Sequence, residues 1–127
     1  IEVGHLNCSL LLKKTKKVTE AMSLRMKLAF KNGYRRYEWK CNALNINSRR
    51  AAQRLGFSYE GTFRQALIVK GRNRDTAWFA LIDEEWKNLE QCFSSCLSEE
   101  NFDENRVHKF SLASLTKPLL YKVDERE

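Results

Sequence analysis

The sequence predicts a single α/β (α+β) domain, a central mixed sheet of about four strands with flanking helices. Three observations carry that expectation. Residues 35–43 alternate strictly, with Tyr37, Trp39, Cys41 and Ala43 against Arg36, Glu38, Lys40 and Asn42, the period of a half-buried strand. Residues 19–32 instead place Met22, Met26, Ala29 and Phe30 at helical spacing. Ala77-Trp78-Phe79-Ala80-Leu81-Ile82 is a nearly continuous apolar run, which predicts a strand covered on both faces. The 127 residues are enough for one modest core, and 43% hydrophobic with 31% charged residues is ordinary for a globular chain.

In chain order, Ile1 and Val3 open a strand over residues 1–9. Three leucines and the basic run Lys13-Lys14-Thr15-Lys16-Lys17 lead into a helix from about Thr19 to Asn32, closed by Asn32-Gly33. Strand 35–43 follows. A short helix then lies between Asn45 and Gly56, with Asn47 or Ser48 as its N-cap. Ser48, Ala51, Ala52 and Leu55 fall on one face of it, and Arg49, Arg50, Gln53 and Arg54 on the other. Phe57 to about Val69 is a second alternating strand, Lys70-Gly71-Arg72-Asn73 a hairpin loop, and Asp75–Ile82 the buried strand. Asp83 caps a last helix through Trp86, Leu89, Phe93, Cys96 and Leu97. Residues 98–105 read as an acidic linker, and 106–127 receive no firm structure. The division expected is 1–97 for the domain and 98–127 for a C-terminal extension, with no internal repeat.

Net charge is +7, but residues 1–82 carry 17 Lys and Arg against 5 acids, and residues 83–127 carry 6 against 11. The basic part should attract an anion: a phosphate-bearing cofactor, a nucleic acid, or the acidic tail itself. No apolar run reaches membrane-spanning length and the first residues are no signal peptide, so no membrane partner is expected. Cys8, Cys41, Cys92 and Cys96 form no CxxC pair, and only His5 and His108 could join them, so no metal site is expected. Buried thiols in a reducing, cytoplasmic setting are favoured over a disulfide.

The basic connection before the first long helix is the main chemical signal. A helix N-terminus presents unpaired N–H groups and the positive end of a dipole, and Lys13, Lys14, Lys16 and Lys17 add charge there. The run reads as a phosphate site or as solvated surface charge, and its lack of glycine excludes a P-loop or a dinucleotide fingerprint. Ser48 has no GxSxG setting, and neither histidine stands in a recognisable relation to a nucleophile. Arg49, Arg50 and Arg54 read as an RNA-contacting set or as solvent-facing arginines, the second being commoner.

Taken together, Thr19-Glu20-Ala21-Met22, Tyr34-Arg35-Arg36-Tyr37-Glu38-Trp39-Lys40-Cys41, Asn45-x-x-Ser48, Leu55-Gly56-Phe57, Glu60-Gly61-Thr62-Phe63-Arg64 and Lys70-Gly71-Arg72-Asn73-Arg74-Asp75-Thr76-Ala77-Trp78 resemble the C-terminal half of a GNAT-superfamily N-acetyltransferase of the RimJ/RimL-like branch. The resemblance covers about residues 1–86. It implies a partial GNAT fold lacking the N-terminal strands, with residues 1–9 as the fourth strand, splayed from the fifth at about 35–43 to form a slot for acetyl-CoA. It implies that Lys13, Lys14, Thr15, Lys16, Lys17 and Val18 hold the cofactor pyrophosphate and that Asn45 contacts the cofactor. Ser48 would contact it too and act as the catalytic acid toward the departing CoA sulfur. Acetyl-CoA is then a cosubstrate, and a primary amine (protein N-terminus, polyamine or small molecule) attacks it directly. Lysines stand where the family's loop usually has glycine, and Ala52 stands where many relatives have a tyrosine acid. The family's first three strands and two helices have no counterpart, which points to a truncated member, a fragment, or a half that assembles with another chain. The competing expectation is a non-catalytic, degenerate GNAT module that binds protein or RNA.

Overall fold

The computed structural model describes residues 1–4, 6, 11, 13 and 15–126. The elements are β1 (Glu2–Val3), α1 (Lys16–Lys31), β2 (Arg36–Asn42), α2 (Ile46–Arg54), β3 (Ser58–Val69), β4 (Arg72–Ile82), α3 (Asp83–Leu97) and α4 (Leu112–Thr116). Single 3₁₀ turns lie at Glu99–Asn101 and Lys117–Leu119. The sheet order is β1-β2-β4-β3, with β1 parallel to β2 and both other pairings antiparallel. This is the expected open mixed sheet of four strands with flanking helices. Of the strand expected over residues 1–9, Glu2–Val3 is strand. His5, Asn7, Cys8 and Ser9 lie outside the described residues, as do Leu10, Leu12, Lys14 and Glu127.

The registers explain the sequence patterns. Tyr37 pairs with Leu81, Trp39 with Phe79 and Cys41 with Ala77, so the alternating residues of β2 and β4 share one buried face. Phe30 of α1 meets Tyr37, and Trp86 of α3 stacks on Phe30 with ring centroids 5.5 Å apart. Being central, β4 is covered along most of its apolar run, although Ile82 remains 38% exposed at its end. The β3–β4 turn is tighter than expected. Val69 pairs with Arg72, leaving Lys70 and Gly71 as the turn, at φ 51° and 74°. Both central residues at positive φ match the twist that a two-residue hairpin needs.

Three helix ends differ from expectation. Thr15 caps α1, so that helix starts at Lys16, ahead of Thr19. Asn45, rather than Asn47 or Ser48, caps α2, because β2 ends at Asn42 and the chain turns before Ile46. At α3 Asp83 is already helical, and the Glu85 carboxylate accepts the Ile82 N–H. Gly56, past α2, has φ 95°, and a Cβ there would lie 2.4 Å from Leu89 Cδ1. Backbone conformation and packing therefore both require glycine at that position.

The acidic stretch and the residues after it are built onto the domain. Asn101 is buried; its amide donates to the carbonyls of Cys96 and Phe110, and its oxygen accepts the Phe110 N–H. Thr116 donates to the Arg54 carbonyl at 3.0 Å, closing the end of α2. Tyr59 N–H donates to the Lys122 carbonyl, which covers the start of the β3 edge.

Arg49 departs furthest from expectation. It shares the polar face of α2 in the sequence pattern, yet its exposure is 0%. Its guanidinium grips Asp124, itself 2% exposed, with Nε–Oδ2 2.5 Å and Nη2–Oδ1 2.7 Å, and Nη1 donates to the Ala43 carbonyl. Burial opposes ionisation of the Asp124 carboxyl, but Arg49 and the Arg126 N–H outweigh it and hold the group below its ordinary range.

Arg49→Ala leaves a buried carboxylate unmatched and should cost about 3–5 kcal/mol by urea denaturation, with Arg49→Ala/Asp124→Ala costing clearly less than the two single changes added. Because the folded-state pKa of Asp124 is depressed, its contribution is fully present above about pH 4 and is lost as pH falls through the folded value. Stability measured down an acid series should therefore fall more steeply in the wild type than in Asp124→Asn.

Candidate active site

The hydroxyl expected to act as an acid sits at the start of α2. Asn45 Oδ1 accepts the Ser48 backbone N–H at 3.1 Å, so the Asn-x-x-Ser spacing is that of a cap residue and the third residue of its helix. Ser48 Oγ accepts the Trp39 indole N–H at 3.1 Å. The indole occupies an oxygen lone pair, so the hydroxyl hydrogen goes to a different acceptor. Cys41 lies beside it: burial pushes the Cys41 thiol up, and the Ser48 hydroxyl partly offsets this. A hydroxyl fixed from behind by an indole can thus donate toward sulfur without ionising.

The basic connection sits at the other end of the helical layer. Thr15 Oγ1 accepts the Val18 N–H at 3.5 Å and the Thr15 carbonyl accepts from Thr19, while the Lys16 and Lys17 amides keep no intrahelical acceptor. The first turn of α1 contains no acid. Among the described residues only Gln65, Lys70 and Arg106 combine a side chain with positive φ, so Lys13, Lys16 and Lys17 need no backbone that glycine would favour. The lysines are therefore compatible with a helix-end anion site, and the described residues of the run fit a pyrophosphate. Lys14 lies outside the described residues.

The two halves of the expected site are linked by α2. Its N-terminal end is tied to β2 through Ser48 and Trp39, and at its C-terminal end Arg54 Nη1 donates to Thr19 Oγ1 in α1 at 3.3 Å. A helix of this length spans on the order of 13 Å, so the contacts to β2 and to α1 are made near its two ends.

Two contributors escape a local reading of the sequence. Trp39 reads as a core strand residue; its indole also aims Ser48. Glu99, in the acidic stretch, accepts from Lys16 Nζ at 3.0 Å, and the same ammonium lies 4.8 Å from the centre of the Phe102 ring. Lys16 holds the Glu99 carboxyl below its ordinary range. The acidic tail thus matches one of the loop cations, as the charge asymmetry allowed. Cys41, Cys92 and Cys96 are free thiols. Among the described residues no group of three or more metal-ligating side chains converges, and no helix is long and apolar enough to cross a membrane.

Comparison with known proteins places this geometry. No family model matches the sequence, and no curated protein matches it either. Solved structures do. A GCN5-related N-acetyltransferase from Brucella melitensis is 46% identical and superposes with TM-score 0.87, covering 91% of this chain and 53% of its own. A probable acetyltransferase of the GNAT family from Chromobacterium violaceum ATCC 12472 is 52% identical with TM-score 0.66, covering 68% of this chain and 43% of its own. The fold is also that of the microcin C7 self-immunity acetyltransferase MccE, solved with acetyl-CoA and AMP, at 24% identity and TM-score 0.57. The chain therefore spans about half the length of the solved relatives it matches. The Brucella match extends beyond residues 1–97 into the C-terminal extension.

Asn45→Ala should cost about 0.5–2 kcal/mol in urea denaturation while Asn45→Asp retains most of the stability. Equal stability for all three proteins would remove the capping role.

Proposed function

We propose that this chain, whose fold is that of the GNAT acetyltransferases, is the acetyl-CoA-binding C-terminal half of a RimJ/RimL-like N-acetyltransferase domain. The observation that carries the reading is the Ser48 hydroxyl, which accepts from the Trp39 indole near the start of α2, together with a basic start of α1 that has no acid in its first turn. When bound, acetyl-CoA supplies an activated acetyl thioester that an unprotonated primary amine attacks directly.

The residues then divide the work. The Lys16 and Lys17 amides, with the Thr15 hydroxyl and the charges of Lys13, Lys14 and Lys17, hold the pyrophosphate at the positive end of the α1 dipole. Val18 closes that turn through Thr15. Asn45 keeps its oxygen on the helix and its exposed amide N–H for the cofactor arm. Ser48 donates its hydrogen to the departing sulfur, and Trp39 keeps the hydroxyl pointed there. The acceptor is a primary amine on a protein N-terminus, a polyamine or a small molecule. A reducing, cytoplasmic setting accords with the three free thiols.

The second reading, a non-catalytic module binding protein or RNA, draws on the Lys16–Glu99 contact, which places a carboxylate on a loop cation. Calorimetric titration separates the two. Saturable binding of CoA is expected, and no heat at millimolar CoA, with salt-sensitive RNA retardation that CoA does not relieve, would favour the module. Glu99→Gln should tighten CoA by about two- to fivefold by releasing Lys16. In a preparation that turns over, Ser48→Ala should lower kcat by about 10²-fold with CoA affinity nearly unchanged. A change confined to affinity would reassign Ser48 to binding.

A further inference from the structure

The acetyl-transfer reading uses the N-terminal end of α2 and leaves its C-terminal end unexplained. There, a cleft of about 300 Å³ opens between α2 and the C-terminal segment. One wall is cationic: Arg50 and Arg54 project from α2, and Lys117 faces them from the 3₁₀ turn. Some cations elsewhere pair with acids. Arg36 bonds Glu38 and Glu60, Lys40 pairs with Glu2, Lys27 with Glu90, and Arg49 takes Asp124. None of the three cleft cations has a carboxylate partner among the described residues, and no acid lines the cleft. Arg54 is the telling one. It is half-buried, burial pushes its guanidinium down, and among the described residues its guanidinium's one hydrogen bond is to the neutral Thr19 hydroxyl.

A second observation points the same way. Gln53 lies between the two arginines, lines the cleft and is 4% exposed. Its Oε1 accepts the Asp124 N–H at 2.9 Å, which fixes the amide's orientation, and its Nε2 has no hydrogen-bond partner. A buried donor with no acceptor is costly and rare. The residues lining the cleft thus carry two guanidiniums, an ammonium and an amide donor. Opposite them, Leu120 and Val123 present an apolar wall.

We propose that this cleft binds a phosphoryl group, the phosphate monoester of a ligand whose organic part lies on the Leu120–Val123 wall. A dianionic phosphate has three terminal oxygens that diverge tetrahedrally and can meet donors arriving from both helices. A carboxylate offers two coplanar oxygens and one charge, which two arginines and a lysine over-match. The phosphate has two available sources. One is the 3′-phosphate of CoA, which rests on the acetyl-transfer reading, because Arg54 reaches the first turn of α1 where the pyrophosphate would lie. The other is a separate phosphorylated molecule, independent of that reading.

The test is calorimetric titration of the full chain with adenosine 3′,5′-bisphosphate, CoA and dephospho-CoA, each with and without competing inorganic phosphate. The variants are Arg54→Gln and the doubly exposed Arg50→Gln/Lys117→Gln, with circular dichroism to confirm folding. The bisphosphate should bind, phosphate should displace it, and both variants should weaken it about tenfold or more. CoA binding about tenfold tighter than dephospho-CoA, with the difference lost in the variants, identifies the cofactor as the source. Equal CoA and dephospho-CoA affinities, with variant-sensitive bisphosphate binding, identify a separate phosphate ligand. Bisphosphate binding that is absent, or equal in wild type and variants, overturns the proposal; if CoA still binds, the acetyl-transfer reading survives it. Conversely, variant-sensitive bisphosphate binding without any CoA binding removes that reading and leaves the cleft a phosphate site.

Discussion

A guanidinium with no exposed surface needs partners close at hand, and each of the three Arg49 nitrogens has one, two of them on a single residue near the C-terminal end of the chain. Asp124 takes two of its N–H groups and Ala43 a third. Removing both charges from water costs several kcal/mol per ion, and the attraction between them roughly returns it, so the pair adds little net stability over a well-packed apolar alternative. What it supplies is position. Residues 117–126 can satisfy Arg49 in one arrangement, and in that arrangement Lys122 covers the β3 edge and Val123 walls the cleft. The Asp124 backbone also fixes the Gln53 amide. Slack in the tail would loosen all of these together.

The same pair steadies the helix that carries the chemistry. Helix α2 has nine residues, too short to hold itself in water. It is held by Asn45 at its start, by Thr116 on its last carbonyls, by Ala52 and Leu55 in the core and by Arg49 inside. Those restraints leave its two ends free for different tasks. The N-terminal end faces Trp39 and presents a hydroxyl. The C-terminal end presents cations that a helix dipole already favours there, and Thr116 rather than a ligand takes its last carbonyl.

What was legible from the sequence follows from range. The strand at 35–43, the helix from about Thr19 to Asn32 and the hairpin in Lys70-Gly71-Arg72-Asn73 rest on local periodicity or turn chemistry, and the structure keeps all three elements, with the helix starting earlier and the turn shorter. The sheet followed from the order of these elements. Arg49 was illegible because its partner lies 75 residues away, and a helix-face pattern assigns every arginine to water. The cap of α2 was ambiguous because Asn45, Asn47 and Ser48 are all good capping residues, and only the end of β2 decides among them. The acidic stretch read as a linker because Asn101, its organising residue, bonds to carbonyls rather than to a patterned apolar partner. Ser48 was visible as a hydroxyl in a motif; the indole that aims it was not, since Trp39 also satisfies the strand period.

The net charge of +7 gains meaning once it is distributed over these contacts. An acidic tail folded onto a basic domain could neutralise it evenly, but this one does not. Glu99 goes to Lys16 and Asp124 to Arg49, one at the start of α1 and one inside. Both contacts leave Arg50, Arg54 and Lys117, at the space between α2 and the tail, without a carboxylate partner among the described residues. A tail that supplies a lysine to that cleft and directs the Asp124 carboxylate into the core concentrates positive potential there instead of dispersing it. Low-dielectric walls on the apolar side sharpen such a field. The extension therefore acts as part of an anion-binding surface rather than as a charge counterweight, and the asymmetry first visible in the composition is spent on one end of one short helix.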